Sequence, residues 1–383
     1  MTFARRYLLT LLMAAGLGLS GMNAEAAVNV QCPGGPNVVC KHLGAADGWV
    51  KMADGRELYM FSFRDVTSVP DSEVVDTTLQ NVQFSAPKLE FKEGDKVYLT
   101  LTNAGLVNRP DLFDPHSVHF HGFPNAASIY DGLPESAIVP MPGSSYTYFY
   151  NLVEPGTFLY HCHVEASEHM QMGMLGNLYV HPKQDGTPMG GFTKFAYNDG
   201  DGSTGFDKEY PLQLASMDGD FHDASRDVQP LPFANMLDTY SMLNGRGYPD
   251  TANPDGANFP PPPSRADQNT SSQPLSSLIT AQQGQTVLLR ISNLSTTTYY
   301  SLSAMGLPMK VVGTGAHILR GPGGQNLYYD TNSVTLGGGE SADVLIDTTG
   351  VPAGTYYLYT TNLNYLSNHN EDFGGMMTEI VIN

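Results

Sequence analysis

The sequence is poor in cysteine, in tryptophan and in basic residues. Its 383 residues include 3 Cys, 1 Trp and 19 Lys and Arg, against 38 Asp and Glu, and the formal charge is −19. A surface with this charge repels nucleic acid and anionic lipid and attracts cations or a basic protein. We therefore expect no nucleic-acid partner. Beyond the N-terminal region no segment has the ~18 apolar residues that a membrane span requires, so none is expected.

The few cysteines predict one disulfide and one free thiol, because an odd number leaves one cysteine unpaired. Cys32 and Cys40 flank the short segment Pro33-Gly34-Gly35-Pro36 and predict a disulfide-closed loop, which an oxidising compartment permits. A metal site made with His42 is the alternative. In either case, Cys162 stays available as a metal ligand.

The N-terminus predicts export. Arg5 and Arg6 precede an apolar run over residues 7–19, and small residues end in Ala24-Glu25-Ala26. This arrangement is typical of a signal peptide, here residues 1–26, rather than of a membrane anchor. The two arginines also allow export by the twin-arginine route. We expect a periplasmic or secreted protein.

Glycine and proline are abundant, at 40 and 26 residues, and they separate many short segments of alternating apolar and polar residues. The segment 49–63, with Asp54-Gly55 at its centre, predicts a hairpin. Such spacing, without long amphipathic helices, favours an all-β fold of Greek-key sandwiches. Residues 283–293 repeat the pattern of residues 93–103. We therefore predict tandem domains over residues 27–182 and 210–383, a linker over 183–209, and a Pro-rich insertion over 251–274.

The stretch from Gly156 to Met174, GTFLYHCHVEASEHMQMGM, carries the strongest functional signal. A blue-copper site needs one cysteine sulfur, two imidazoles and a weak axial methionine. Cys162, His169 and Met174 supply three of these ligands, and His116 in the upstream segment HSVHFHG supplies the fourth. Met170 and Met172 are further thioethers, for which packing around the site is the preferred interpretation.

Strand geometry assigns the other histidines to a second group. Because successive side chains of a strand point to opposite faces, His161 and His163 share one face while Cys162 points to the other. His119 and His121 project together in the same way. We predict a second copper site at His119, His121, His161 and His163. Taken alone, any one of these histidines, or Cys162, would be interpreted as an ordinary core residue. Free cysteines are commonly buried in protein cores, and a buried histidine needs only a hydrogen-bond partner.

The motif H-x-x-H-x-H-G followed by H-C-H, a spaced histidine and G-M resembles that of the multicopper oxidases. The internal repeat predicts two cupredoxin-like domains in tandem. The resemblance implies a trinuclear copper site, to which the histidines flanking Cys162 carry electrons for the reduction of dioxygen to water. The chain departs from the family in one spacing. Six residues separate Cys162 from His169 where four are usual, which indicates a longer ligand loop.

The second domain is predicted to lack copper ligands. By the repeat, Ser303 and Met305 replace His119 and His121, and roughly Thr360-Thr361-Asn362 replaces the H-C-H triplet. His369 lies about where His169 would lie. The family's trinuclear site resembles a cage of eight imidazoles, four from each of two facing domains, so the ligand set of this chain is incomplete.

These observations favour an exported copper oxidoreductase with a small redox donor or an electron-transfer protein as partner. A non-enzymatic copper-handling or electron-transfer protein is one alternative. An enzyme resembling the copper nitrite reductases is another, although that family has a catalytic Asp where His119 stands. Because four imidazoles on one domain need a covering surface, we expect a homotrimer.

Overall fold

The computed structural model describes residues 28–254 and 272–383. The predicted signal peptide lies outside the described residues, and so does the central part of the predicted Pro-rich insertion, residues 255–271. Within the described residues, no helix combines the length and the apolar character needed to cross a lipid bilayer.

The first sandwich consists of two four-stranded sheets, in the orders β2-β1-β4-β6 and β3-β8-β7-β5. Apolar side chains that alternate along these strands fill the space between the sheets, where Leu99, Phe120 and Tyr148 are fully buried. The strands are β1 Val38–Lys51, β2 Glu57–Asp65, β3 Ala86–Lys92, β4 Lys96–Gly105, β5 His119–His121, β6 Ser144–Asn151, β7 Gly156–His161 and β8 Leu175–His181.

The predicted hairpin is confirmed, since β1 and β2 pair in antiparallel register from Leu43 opposite Asp65 to Lys51 opposite Glu57. Its turn contains Gly55 with φ +87°, a conformation that glycine adopts without steric cost. Strand β1 is longer than the sequence pattern predicted. It begins at Val38 and also pairs in parallel with β4.

The second sandwich repeats this architecture. Its sheets have the orders β10-β9-β12-β18-β14-β15, with β16 paired to β14, and β11-β20-β19-β13-β17. The strands are β9 Lys208–Met217, β10 Tyr240–Leu243, β11 Ile279–Ala281, β12 Thr286–Asn293, β13 Tyr300–Ala304, β14 Met309–Thr314, β15 His317–Ile318, β16 Tyr329–Thr331, β17 Val334–Leu336, β18 Ser341–Asp347, β19 Gly354–Thr360 and β20 Met377–Ile382. The predicted repeat is present, because β4 and β12 each pair with one strand in parallel and another in antiparallel.

The described residues contain three α-helices, all short. Asp218 caps the longest of these three and accepts hydrogen bonds from the N–H groups of Asp220 and Phe221. The α-helices are α1 Val74–Thr78, α2 Ala166–Gln171 and α3 Gly219–Arg226. Single 3-10 turns lie at Asp71–Glu73, Ser128–Tyr130, Phe233–Asn235, Asp250–Ala252 and Leu363–Leu366.

The two sandwiches share an apolar core in which Met60, Leu159 and Leu175 of the first are buried with Met217 and Leu294 of the second. The segment predicted as a linker packs on the second sandwich. Its Ala196, Tyr197 and Phe206 are buried against Leu288, Val312 and Leu345, and β9 starts at Lys208, two residues before the predicted domain boundary.

A buried charged network also joins the sandwiches. Arg290 has no exposed surface, and its Nε lies 2.7 Å from Oε2 of Glu209. Thr157 of β7 donates its hydroxyl hydrogen to Asp343 at 2.6 Å and lies 3.1 Å from Nη1 of Arg290. Because a buried charge requires a partner, this network fixes β7 against β12 and β18.

Candidate metal centre

The structure brings together the first predicted set of ligands, which we call the thiolate group: His116, Cys162, His169 and Met174. The donor atoms of His116, Cys162 and His169 all lie within 4.8 Å of one another. Sγ of Cys162 is 3.2 Å from Nδ1 of His169, and the His116 and His169 ring centroids are 5.0 Å apart. All four side chains have no exposed surface.

Backbone hydrogen bonds between β7, α2 and β8 hold these residues in place. The N–H of Cys162 donates to the carbonyl of Met174 at 3.1 Å, and the N–H of Met174 donates to that of His169 at 2.9 Å. The residues that lengthen the spacing between Cys162 and His169 form part of α2, which carries His169. The helix follows Glu165, whose backbone is in the left-handed region at φ +43°. The extra residues thus make a helical turn that returns His169 to Cys162.

The chemistry of the thiolate group fits copper. Neither ring nitrogen of His116 has a hydrogen-bond partner among the described residues, although both are buried, and a metal ligand needs such a free lone pair. Burial raises the pKa of the Cys162 thiol, but the His169 and His116 imidazoles together outweigh it and bring the value down to about 5. The backbone N–H of Ser117 points at the same sulfur from 3.3 Å. Thiolate, imidazole and thioether donors select copper.

Asp114 is a candidate site residue that sequence analysis missed. Its Oδ2 lies 3.1 Å from Nε2 of His169, and both side chains are almost fully buried. Burial raises the pKa of Asp114, but the contact with His169 and the charges of neighbouring groups outweigh it and lower the value. Carboxylates commonly orient metal-bound histidines in this way. The sequence offered one signal for Asp114, its position two residues before the predicted ligand His116.

The second predicted set, which we call the imidazole group, also converges. The donor atoms of His119, His121 and His161 lie within 4.8 Å of one another. His163 completes the group, with its ring centroid 5.2 Å from that of His119 and 5.6 Å from that of His161. Strand pairing causes this convergence, because His119 of β5 is directly opposite His161 of β7.

Hydrogen bonds fix the orientation of two of these rings. Nδ1 of His161 lies 2.8 Å from the carbonyl of Cys162, and Nδ1 of His119 lies 2.6 Å from the carbonyl of Asp131. Since a carbonyl oxygen only accepts, Nδ1 carries the proton in each ring, and Nε2 keeps its lone pair. Burial lowers the pKa of His161 to about 3, so its ring is neutral and able to bind a metal.

A cavity of about 360 Å³ lies against the imidazole group. Its walls include Met170 from α2, and Ser295, Thr296, Gly338 and Gly339 from the second sandwich. A Cβ atom on Gly339 would come 2.8 Å from Nε2 of His121, and φ at this glycine is +86°. The close approach therefore depends on glycine. Met172, by contrast, is buried in the core with Cys162.

The second sandwich has tyrosines where the first has the two histidines of the thiolate group. The same pair of backbone hydrogen bonds is present there. The N–H of Thr360 donates to the carbonyl of Met376 at 3.1 Å, and the N–H of Met376 donates to the carbonyl of Tyr365 at 2.9 Å. The ring centroids of Tyr300 and Tyr365 are 5.1 Å apart. The positions equivalent to His116, Cys162, His169 and Met174 are therefore Tyr300, Thr360, Tyr365 and Met376.

This equivalence corrects two predicted positions. Ser303 pairs with Tyr359 as His119 pairs with His161, so the H-C-H triplet corresponds to residues 359–361, one residue earlier than predicted. The prediction for His369 was also wrong. The second sandwich has extra residues after Tyr365, and they carry His369 to a position 3.1 Å from Oδ2 of Asp54.

The structure joins Cys32 to Cys40 in a disulfide with a Cα–Cα distance of 5.9 Å. The alternative ligand His42 instead bonds Oγ1 of Thr102 through Nε2, at 2.7 Å. Cys162 is the one free cysteine among the described residues.

Two tandem cupredoxin-like sandwiches carry a buried set of Cys, His and Met side chains of the kind that binds copper. Residues 63–185 and 222–383 each match a domain family described as multicopper oxidase. The chain belongs to the multicopper oxidase superfamily. Its cofactor is copper, as in that family, and the predicted all-β fold of two tandem domains is confirmed.

Individual relatives match the chain over a short segment or at low sequence identity. The chain is 32% identical over 118 residues to the multicopper oxidase MCE of Talaromyces pinophilus, an alignment covering 30% of this chain and 18% of that protein. Among solved structures, it is similar to the blue copper oxidase of Nitrosomonas europaea, with a TM-score of 0.66, 21% identity and coverage of 90% and 86% of the two chains. It is also similar to the copper nitrite reductase of Nitrosomonas europaea, with a TM-score of 0.60, 18% identity and coverage of 90% and 94%. These structures share the fold, whereas the first alignment spans less than a fifth of the curated relative.

Proposed function

We propose that the chain is an exported copper oxidoreductase with a blue copper at the thiolate group and further copper at the imidazole group. The observation that carries this proposal is the arrangement around Cys162. Its sulfur faces His116 and His169 in the core, while its neighbours His161 and His163 turn to the imidazole group on the other side. One tripeptide thereby connects the two groups covalently.

The protein residues have separable roles in this proposal. Copper, when bound, supplies one-electron exchange between Cu(I) and Cu(II) with little rearrangement of its ligands. Asp114 orients His169 through Nε2, and the N–H of Ser117 directs a partial positive charge at the Cys162 sulfur. Complete burial excludes water from the thiolate group.

The second sandwich limits the reaction. Ser303, Tyr359 and Thr361 occupy the positions equivalent to His119, His161 and His163. The second sandwich lines the cavity beside the imidazole group with Ser295, Thr296, Gly338 and Gly339, and none of these residues supplies an imidazole. With four imidazoles from one sandwich, the chain offers half the ligands of a trinuclear site, and we propose that reduction of dioxygen is slow.

The same observation favours a second candidate function, electron transfer or copper handling without turnover. In that case the imidazole group holds copper for storage or delivery, and its open cavity admits a partner that exchanges it. Reduction of nitrite is the third candidate, because the structure is similar to that of a copper nitrite reductase.

Turnover measurements on copper-saturated protein separate these functions. We expect oxygen uptake with phenolic donors well below that of a laccase, and loss of this uptake in the double variant His161→Ala with His163→Ala. The blue colour should persist in that variant, because Cys162 faces the other group. His317→Ala, at an exposed histidine in the second sandwich, is the control. No oxygen or nitrite turnover, with rapid electron exchange with a small redox protein, would support the carrier function instead. Fast laccase-like turnover would refute the incomplete ligand set.

We further propose a periplasmic or secreted location and a homotrimer, with a small redox donor or an electron-transfer protein as partner. The Cys32–Cys40 disulfide supports an oxidising compartment. The partly exposed His163 and the cavity beside it support a covering surface from another copy. Sedimentation of copper-loaded protein at micromolar concentration tests the assembly, and a species with the mass of one chain would reject it.

A further inference from the structure

A third group of metal-binding side chains lies where the two sandwiches meet. It consists of Glu90 on β3, His181 at the end of β8 and Glu209 near the start of β9, and their donor atoms all lie within 4.8 Å of one another. His181 is six residues further along β8 than Leu175, the partner of His161. At ~3.3 Å per strand residue, about 20 Å separates this group from the imidazole group.

The distances between donor atoms in the group are too long for direct hydrogen bonds and close to those between ligands of one metal ion. Nδ1 of His181 is 4.0 Å from Oε1 of Glu209 and 3.9 Å from Oδ2 of Asp185. Both distances are too long for a hydrogen bond. Ligands bound at about 2.0–2.2 Å to one Zn²⁺ ion lie roughly 3–4 Å from each other, so the observed gap needs only small adjustment.

The charges around the group leave donor atoms available. Glu209 bonds Arg290 through Oε2, at 2.7 Å, and turns Oε1 toward His181. Glu90 contacts Nζ of Lys88 at 2.8 Å, and this lysine side chain is partly exposed and able to move away. Burial lowers the pKa of His181, which favours the neutral imidazole that a metal requires.

We propose that Glu90, His181 and Glu209 bind one divalent cation that accepts mixed imidazole and carboxylate ligands, Zn²⁺. The bound cation links β3 and β8 of the first sandwich to β9 of the second. Because it binds the folded arrangement, it stabilises the contact between the sandwiches in proportion to its affinity. This site is independent of the proposed copper chemistry.

Calorimetric titration of the copper-loaded protein with Zn²⁺ tests the proposal, with copper content and visible absorbance monitored throughout. We expect one Zn²⁺ per chain, no release of copper, and a raised thermal unfolding temperature. His181→Gln and Glu90→Gln should each weaken binding at least tenfold and abolish the thermal shift. Glu90 is exposed, so the second variant tests the site even if His181→Gln does not fold.

His317→Gln is the matched control, because this exposed imidazole lies 3.5 Å from a single carboxylate, Glu154. It should bind Zn²⁺ as the unchanged protein does. The proposal is overturned if the copper-loaded protein takes up no Zn²⁺, if uptake only displaces copper, or if binding is the same in Glu90→Gln as in the unchanged protein.

Discussion

The Cys162 sulfur should be ionised at neutral pH even before copper binds. Burial alone would raise its pKa, but the His169 imidazole at 3.2 Å and the neighbouring His116 together bring the value from 9.0 down to about 5. At about 1.4 kcal/mol per pKa unit, this difference favours the thiolate by about 5 kcal/mol. His169→Gln removes the larger of these two contributions, so the pKa of the Cys162 thiol should rise toward its ordinary value.

Ultraviolet absorbance of metal-free protein during a pH titration measures this directly. The other two cysteines form a disulfide, so the thiolate signal comes from Cys162, and Cys162→Ser supplies the baseline. We expect the signal to be present at neutral pH and to disappear as the pH falls through about 5. A titration near the ordinary thiol value in the unchanged protein, or an unchanged curve in His169→Gln, would refute the role assigned to His169.

Three further variants test the surroundings of the proposed copper sites and the contact between the sandwiches. Asp114→Asn should weaken copper binding at the thiolate group roughly 10- to 100-fold, because Nε2 of His169 loses its carboxylate partner. Competition with a chelator measures this affinity, and an unchanged value would mean that His169 needs no orienting group. Gly339→Ala should remove copper from the imidazole group and leave the blue colour, because the new Cβ meets His121, whereas Gly350→Ala, at φ +75° in open space, should retain full copper content. Arg290→Met should lower the free energy of unfolding by about 3–5 kcal/mol in urea, because Asp343 loses its buried cation. Arg226→Met, at a partly exposed pair, should cost at most ~1 kcal/mol, and equal effects would contradict the role of the Arg290 network.

The sequence predicted the fold because its signals are local. Alternating strands, a glycine at the hairpin turn and the repeat of residues 93–103 each depend on a few neighbouring residues. Contacts between distant segments gave no such signal. The parallel pairing of β1 with β4 and the packing of residues 196–206 on the second sandwich depend on side chains far apart in the sequence.

For the candidate site, strand alternation correctly predicted which histidines converge, because side-chain direction follows from position in a strand. Asp114 was missed because its contact with His169 spans 55 residues and a loop. His369 was misplaced because the extra residues after Tyr365 have no strand pattern. The hydrogen bonds of Thr360 and Met376 and the pairing of Ser303 with Tyr359 establish the equivalence instead.

The proposed copper sites are tested most directly by copper analysis with visible and electron paramagnetic resonance spectra of the unchanged protein and of Cys162→Ser. The proposal predicts intense sulfur-to-copper charge-transfer absorption in the unchanged protein. In Cys162→Ser this absorption should vanish while copper remains at the imidazole group. Absorption that persists in Cys162→Ser, or an unchanged protein that binds copper without colour, would contradict the assignment of the thiolate group.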